Sequence, residues 1–346
     1  MTERPLHSCE PSAGRRRTLR VEVEPLRLKS PFRISGYTFT EVPVAVATLQ
    51  GGAARGWGEA AGVYYLEDRP AQIVATLAAH RDAIEGGIDR MALRELLPVG
   101  GARNAVDCAL WDLEAKLAGR SAWQLAGIDR PVARITTFTL GADDPAVVSQ
   151  GARALAGARA IKLKLDGDVP TDIERVRSLR AARPDVWLGV DANQGYTLDT
   201  LDTVLPHLVD AGVELIEQPL PRGGEADLEG LGCPIPLAAD ESVQGLADVA
   251  GLVGRFDVVN IKLDKCGGLT EALLIVAEAR RLGLQVMVGN MLGSSLAMAP
   301  AFVVAQLCDF VDLDGPIFLA QDRVPGVRYT EGSVDCPDTV WGGGRA

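Results

Sequence analysis

Val258-Val-Asn-Ile-Lys262, Gly267-Gly-Leu-Thr270, Glu271-Ala-Leu-Leu-Ile-Val-Ala-Glu-Ala-Arg-Arg281 and Val286-Met-Val288 together spell one strand, one turn, one helix and the start of another strand. The first apolar, β-branched run reads as a buried strand and the glycine pair as a turn. Thr270 is the expected cap of a helix over Glu271 to Arg281, whose apolar residues recur at helical spacing. Strands joined through a helix run parallel, because the helix carries the chain back to the edge from which it started. A similar unit runs from Ile161-Lys-Leu-Lys-Leu165 through a helix over Thr171 to Ala182 into Leu188-Gly-Val190. About seven such strands are read between Thr136 and Leu313.

Upstream of Pro131 the pattern differs. Leu19 to Val23 and Val44 to Leu49 alternate like strands of an antiparallel sheet, with Pro43 at the entry to the second and a loop over Lys29 to Gly36 between them. Helical periodicity follows in Ala71 to Ala79 and in Ala105 to Leu117, where Gly119 is a stop signal. The chain is therefore expected to divide into a disordered leader (1–17), an α+β unit (18–130), a parallel α/β unit (131–321) and a Gly/Pro-rich segment (322–346) that returns to the first unit.

Composition narrows the function. At 346 residues, with 47% hydrophobic and 23% charged residues, the chain is of ordinary globular make-up. A net charge of −11 opposes non-specific binding to phosphate backbones, so nucleic acid is not an expected partner. No apolar run is long enough for a membrane helix, and no apolar region follows Gly14-Arg-Arg-Arg17, so the expected location is the cytoplasm. The six cysteines are far apart and read as reduced, structural thiols.

Five charged residues stand at or near the ends of successive apolar runs: Lys164, Asp191, Glu217, Asp240 and Lys262, with gaps of 27, 26, 23 and 22 residues. Where parallel strands close into a barrel, such positions converge on one mouth, the face that carries the active site. Three carboxylates without a matching histidine or cysteine suit Mg²⁺ or Mn²⁺, not Zn²⁺. Lys162 and Lys164 lie two apart on a strand and share a face. Mutual repulsion, a metal and burial are expected to lower a lysine pKa there, making Lys164 a base tuned by Lys162. Lys262 falls across the mouth from Lys164, an arrangement suited to removing a proton on one side of a carbon and returning it on the other. Asp264 and Lys265 read as a loop salt bridge or a solvated pair.

Lys162-Leu-Lys164, Asp191-Ala-Asn193, Glu217-Gln-Pro219, Asp240-Glu-Ser242 and Asn260-Ile-Lys262, together with Arg103-Asn-Ala-Val-Asp-Cys-Ala-Leu-Trp-Asp112, resemble the muconate lactonising subgroup of the enolase superfamily. The resemblance implies a modified TIM barrel, (β/α)₇β, with an N-terminal α+β capping domain. It also implies Mg²⁺ on Asp191, Glu217 and Asp240, and acid/base lysines at 164 and 262. Asn193 and Glu241 would stand behind these groups, Glu241 either steering a lysine or simply ending a strand. Asp312-Leu-Asp314-Gly-Pro316 looks like the element with which dipeptide epimerases hold a substrate ammonium, so the resemblance favours a dipeptide epimerase acting on the C-terminal residue. N-acylamino acid racemases, o-succinylbenzoate synthases and cycloisomerases share the lysine pair, and a non-catalytic barrel holding metal and carboxylate is the alternative of a different class. Thr137 and Met291, the latter in Gly289 to Leu296, match positions near the substrate. Where Ala-Glu epimerases carry a lid arginine, the matching residue is Tyr37 and the nearby cation is Arg33; Tyr64 and Tyr65 fall in a second capping loop, as pocket contacts or as lid packing. The expected partners are a small carboxylate substrate, with a dipeptide foremost, and further copies of the chain in a homo-oligomer.

Overall fold

The computed structural model describes residues 16–34 and 37–344. Residues 1–15 of the expected leader, including Cys9, lie outside the described residues. Arg17 is already engaged, its N–H donating to the Glu85 carbonyl at 2.9 Å. Strands β1 (Thr18–Ile34), β2 (Tyr37–Gly51) and β3 (Ala54–Ala60) form an antiparallel sheet in sequential order. The loop expected over residues 29–36 is instead strand as far as Ile34. The register shifts between Arg27 and Phe32, so the hairpin bends without leaving the ladder. Pro43 does not open β2 but sits within it, opposite Pro25.

Helices α1 (Pro70–Ala79), α2 (Arg81–Glu85), α3 (Arg90–Leu96), α4 (Gly101–Ala118) and α5 (Ala122–Leu125) follow. Helix α4 lies on β3 so closely that a Cβ at Gly58 would come 2.1 Å from the Ala105 carbonyl oxygen. Gly119 ends α4 in the left-handed conformation at φ 62°, as its sequence position predicts.

After the short β4 (Arg134–Ile135) comes a parallel run: β5 (Thr137–Leu140), α6 (Pro145–Ala154), β6 (Ala160–Lys164), α7 (Val169–Ala182), β7 (Trp187–Asp191), α8 (Leu198–Asp210), β8 (Leu215–Glu217), β9 (Leu237–Ala239), β10 (Val258–Ile261), α9 (Leu263–Cys266), α10 (Leu269–Arg281), β11 (Gln285–Val288), α11 (Ser295–Ala305) and β12 (Phe310–Val311). The eight strands β5 to β12 form one sheet in sequential order, one more than the alternation pattern revealed. Strands β8, β9 and β12 span only two or three residues, too short for a periodicity signal. The links from β8 to β9 and from β9 to β10 are 3₁₀ turns (Glu225–Leu228 and Leu246–Leu252), without the apolar stripe of a full helix.

Side chains and backbone groups join the two edges of the sheet. Leu313 N–H donates to Thr136 Oγ1 at 2.9 Å, Thr137 Oγ1 to Asp312 Oδ1 at 2.5 Å, and Thr139 N–H to Asp314 Oδ2 at 2.6 Å. This seam holds both acids of the Asp312-Leu-Asp314 element at the mouth of the barrel. Beyond it, β13 (Arg328–Thr330) and β14 (Ser333–Asp335) pair antiparallel with each other and with β4. Farther on, Trp341 Nε1 donates to the Trp57 carbonyl at 2.8 Å.

Thr270 is not the cap of its helix. Gly268, at φ 112°, occupies that position, and Thr270 is the second residue of the helix, with its N–H and Oγ1 donating to the Asp107 carboxylate of α4 at 2.9 and 2.5 Å. One of the free donors at the start of α10, the Thr270 N–H, is thus satisfied from another element. Asp107→Ala is expected to destabilise the protein by about 1–3 kcal/mol, because the buried Thr270 N–H loses its acceptor. An unchanged urea midpoint would show that this bridge carries no stability.

Candidate active site

The strand ends of the barrel, the β1–β2 hairpin and the segment after β3 enclose a cavity of about 330 Å³, within the range of small-molecule sites. Each barrel-end side chain is placed by its strand. Residues two apart in β6 share a face, so Lys162 and Lys164 both point inward, and the whole strand is buried. Asp191, Glu217, Asp240 and Lys262 end or follow the next four strands, β7 to β10. Lys164 and Lys262 therefore stand four strands apart in a sheet of eight, with the strands of the three acids between them.

The acids converge. Asp191, Glu217 and Asp240 can each turn one oxygen into a group whose members lie within 4.8 Å of one another, and all three are buried. Lys164 Nζ meets Asp191 Oδ2 at 2.5 Å and Lys262 Nζ meets Asp240 Oδ2 at 2.6 Å. Lys162 Nζ lies 3.0 Å from Asp191, 2.8 Å from Glu217 and 3.0 Å from Asp312. Glu217 Oε2 is near that ammonium but out of line for a hydrogen bond, and is buried without a hydrogen-bond partner. A hard divalent cation suits such a donor set: three buried carboxylates, one of them with an uncommitted oxygen.

Electrostatics agree with this reading. Burial opposes charge on Asp191, but Lys164 and Lys162 outweigh it and hold the carboxyl well below its usual range. Asp240 is likewise depressed, by Lys262 and Lys265 against burial. Glu217 goes the other way, pushed up to about 8 by burial and by the Asp191 charge. Three adjacent carboxylates resist full ionisation until more positive charge arrives. Lys162 and Lys262 are both held above the ordinary lysine range. Burial lowers both, but Asp312, Glu217 and Asp191 around Lys162, and Asp240 and Glu217 around Lys262, more than reverse it.

Several positions depart from expectation. Arg33 does not line the cavity; its guanidinium points outward to Asp143 at 3.1 Å, because the pleat that turns Phe32 in turns Arg33 out. Thr137 holds Asp312 in place and does not face the cavity, whereas Thr139 does. Asp264 and Lys265 are neither paired with each other nor solvated. Lys265 Nζ binds Asp240 Oδ1 at 2.6 Å and the Asp240 and Asn260 carbonyls, while Asp264 accepts the Gly62 N–H at 2.9 Å. Met291, Asp312 and Asp314 line the cavity, and so do Asn193 and Glu241, which the sequence placed behind the metal and lysine groups; Tyr64 and Tyr65 do too. Glu241 Oε2 and Asn193 Oδ1 have no hydrogen-bond partner, and burial followed by the Asp240 charge pushes Glu241 up to about 7.

The sequence reading gave no role to Gln218, Asn260 or Lys265. Gln218 accepts the N–H groups of Asp240 and Ser242 at 2.9 and 3.1 Å, and Asn260 Nδ2 donates to Glu217 Oε1 at 3.0 Å. Gln218 and Asn260 lie inside the quoted motifs, which was the available signal. Asn193, Gln194 and Gln218 adopt positive φ of 43°, 66° and 40°, so the backbone is strained just past the ends of β7 and β8. The Asn193 N–H donates to Asp191 Oδ1 at 2.9 Å, fixing the outer oxygen of that acid.

Residues 16–127 match the mandelate racemase / muconate lactonizing enzyme N-terminal domain, and residues 146–340 match the enolase C-terminal domain-like family. The L-Ala-D/L-Glu epimerase of Escherichia coli strain K12 is 39% identical over 320 residues, covering 92% of this chain and 99% of that protein. Among solved structures, an enolase family member from Agrobacterium tumefaciens with homology to dipeptide epimerases, holding sodium and L-Ala-L-Glu, superposes with a TM-score of 0.90 at 40% identity, covering 94% of this chain and all of that one. A dipeptide epimerase from Methylococcus capsulatus, in complex with Mg and L-Arg-D-Lys, gives a TM-score of 0.86 at 30% identity, covering 92% and 96%. With an antiparallel cap, an eight-stranded parallel barrel and both family models matched along its length, the chain belongs to the mandelate racemase / muconate lactonizing enzyme family of the enolase superfamily.

Proposed function

We propose that this protein is a Mg²⁺-dependent dipeptide epimerase that inverts the α-carbon of the C-terminal residue. The observation that carries the reading is the pair of amines, Lys164 and Lys262, four strands apart with the acidic triad between them. A carbon acid beside a carboxylate is very weak, because removing its proton adds a second negative charge to the same few atoms. Asp191, Glu217 and Asp240 would hold the ion, which when bound supplies positive charge beside the substrate carboxylate. Lys162, already within 3.0 Å of Asp191 and 2.8 Å of Glu217, adds a fixed positive charge on the same side.

The two lysines do the proton work. One takes the α-proton from its side, the carbon becomes planar, and the other delivers a proton to the opposite side. In reverse the roles exchange, so both epimers are substrates. Asp312 and Asp314 support the dipeptide reading in particular. Both line the cavity, and they offer a substrate ammonium two carboxylates held by the seam to Thr137 and Thr139. The names of the relatives point the same way. Five free cysteines among the described residues support a reducing location, the cytoplasm.

Incubation with dipeptides and with N-acylated amino acids in D₂O, followed by mass detection of α-deuterium, tests the proposal. Exchange is expected in dipeptides. Exchange confined to N-acyl substrates would instead make this an N-acylamino acid racemase, and none in any substrate would leave a barrel that only binds.

A further inference from the structure

Resting on that reading, we propose that the residue whose α-carbon is inverted carries an aromatic or bulky aliphatic side chain, received by a wall of Tyr37, Phe39 and Tyr64. The argument begins with the planar carbon between the lysines. Its proton lies on the Lys164 or Lys262 side, leaving three substituents in the plane. The carboxylate is directed to the triad at β7 to β9, and the amide nitrogen leads toward Asp312 and Asp314 after β12. The side chain takes the remaining direction, out of the barrel and toward the lid.

The lid presents rings there. Tyr37 and Phe39 lie two apart on β2, so both face the cavity, with ring centroids 6.1 Å apart and 12° between planes. Tyr64 packs edge-on against both, at 4.6 and 5.4 Å, and Tyr65 packs against Tyr64 at 5.2 Å. Rings this close fill their own cluster and offer an apolar surface, not an open cage. The next residue on the same face of β2 is Glu41, which also lines the cavity, with Arg27 at 4.0 Å from its carboxylate. Lys162, Lys164 and Lys262 are paired with acids at the floor and Arg33 is turned to Asp143, while Arg69, exposed at the start of α1, also lines the cavity.

The test is a series of L-Ala-L-Xaa dipeptides with Xaa Phe, Leu, Ala, Lys and Glu, read as α-deuterium uptake in D₂O. The expected kcat/KM for Phe and Leu exceeds that for Ala by about tenfold or more, the scale on which a hydrophobic pocket discriminates substrates. Phe39→Ala should narrow the Phe-to-Ala ratio by about tenfold or more, a change that a merely structural residue would not produce. Preference for Glu or Lys, with exchange intact, overturns the inference and leaves the epimerase reading standing. Absence of exchange in every dipeptide overturns both.

Discussion

Lys164→Ala and Lys262→Ala are each expected to abolish epimerisation, lowering kcat by at least about a hundredfold, the contribution of a positioned acid or base. They should not abolish proton exchange equally. With Lys164 gone, Lys262 still faces one side of the α-carbon, so the epimer whose proton points to it should exchange with D₂O without inverting. The Lys262 variant should exchange the other epimer. This reciprocal pattern follows from two amines four strands apart, and a single shared base would not produce it. Separate measurement of deuterium uptake from L,L and L,D substrates decides the matter. Loss of exchange from both epimers in either variant would show that the lysines do not act from opposite sides.

Glu217→Gln is expected to remove Mg²⁺ binding and at least about a hundredfold of activity while leaving the protein folded. The contrast with Asp240→Asn makes the prediction sharp. Asp240 is the partner of Lys262 and Lys265, both buried, at 2.6 Å each. Its loss leaves two buried ammonium groups poorly matched, which costs about 3–5 kcal/mol for a single broken buried pair. Glu217 has one oxygen without a hydrogen-bond partner, and the other accepts from Asn260 Nδ2, a bond that a glutamine carbonyl can keep. Equilibrium dialysis with Mg²⁺ and urea titration of both variants provide the comparison. Undiminished Mg²⁺ binding in Glu217→Gln would remove Glu217 from the ion site. Chelation of the wild-type enzyme should stop turnover, with recovery on returning Mg²⁺.

Much of the barrel end was legible because strand and helix periodicities are local. A βα unit has a nearly constant length, so charged residues recurring every 22 to 27 positions had to arrive at one end of the sheet. The pleat likewise settled that Lys162 and Lys164 share a face. The same rule, applied to the β1–β2 hairpin, failed for want of register. Lys29 to Gly36 reads as a loop, and a loop carries no pleat to place Phe32 inward and Arg33 outward. A register shift between Arg27 and Phe32 leaves no mark in the types of residue present. Adjacent charges at Asp264 and Lys265 resembled a solvated pair because solvated pairs are the common case. Asp264 is buried against the cap, reaching Gly62, 202 residues away in sequence, and Lys265 is buried in the barrel against Asp240 and Asn260.

The sequence by itself determined which charged groups gather at the barrel mouth, since their order and spacing follow from backbone geometry repeated along the chain. Only the tertiary structure decided which amine lies on which acid, that Glu217 is pushed up while Asp191 and Asp240 are held down, and that Tyr37, Phe39 and Tyr64 line the cavity while Arg33 turns away from it. Those properties depend on distances of a few ångströms between residues far apart in sequence, as with Asp312, which meets Lys162 at 3.0 Å across 150 positions. Coulomb energies and burial act through space, and no local pattern of residues encodes them.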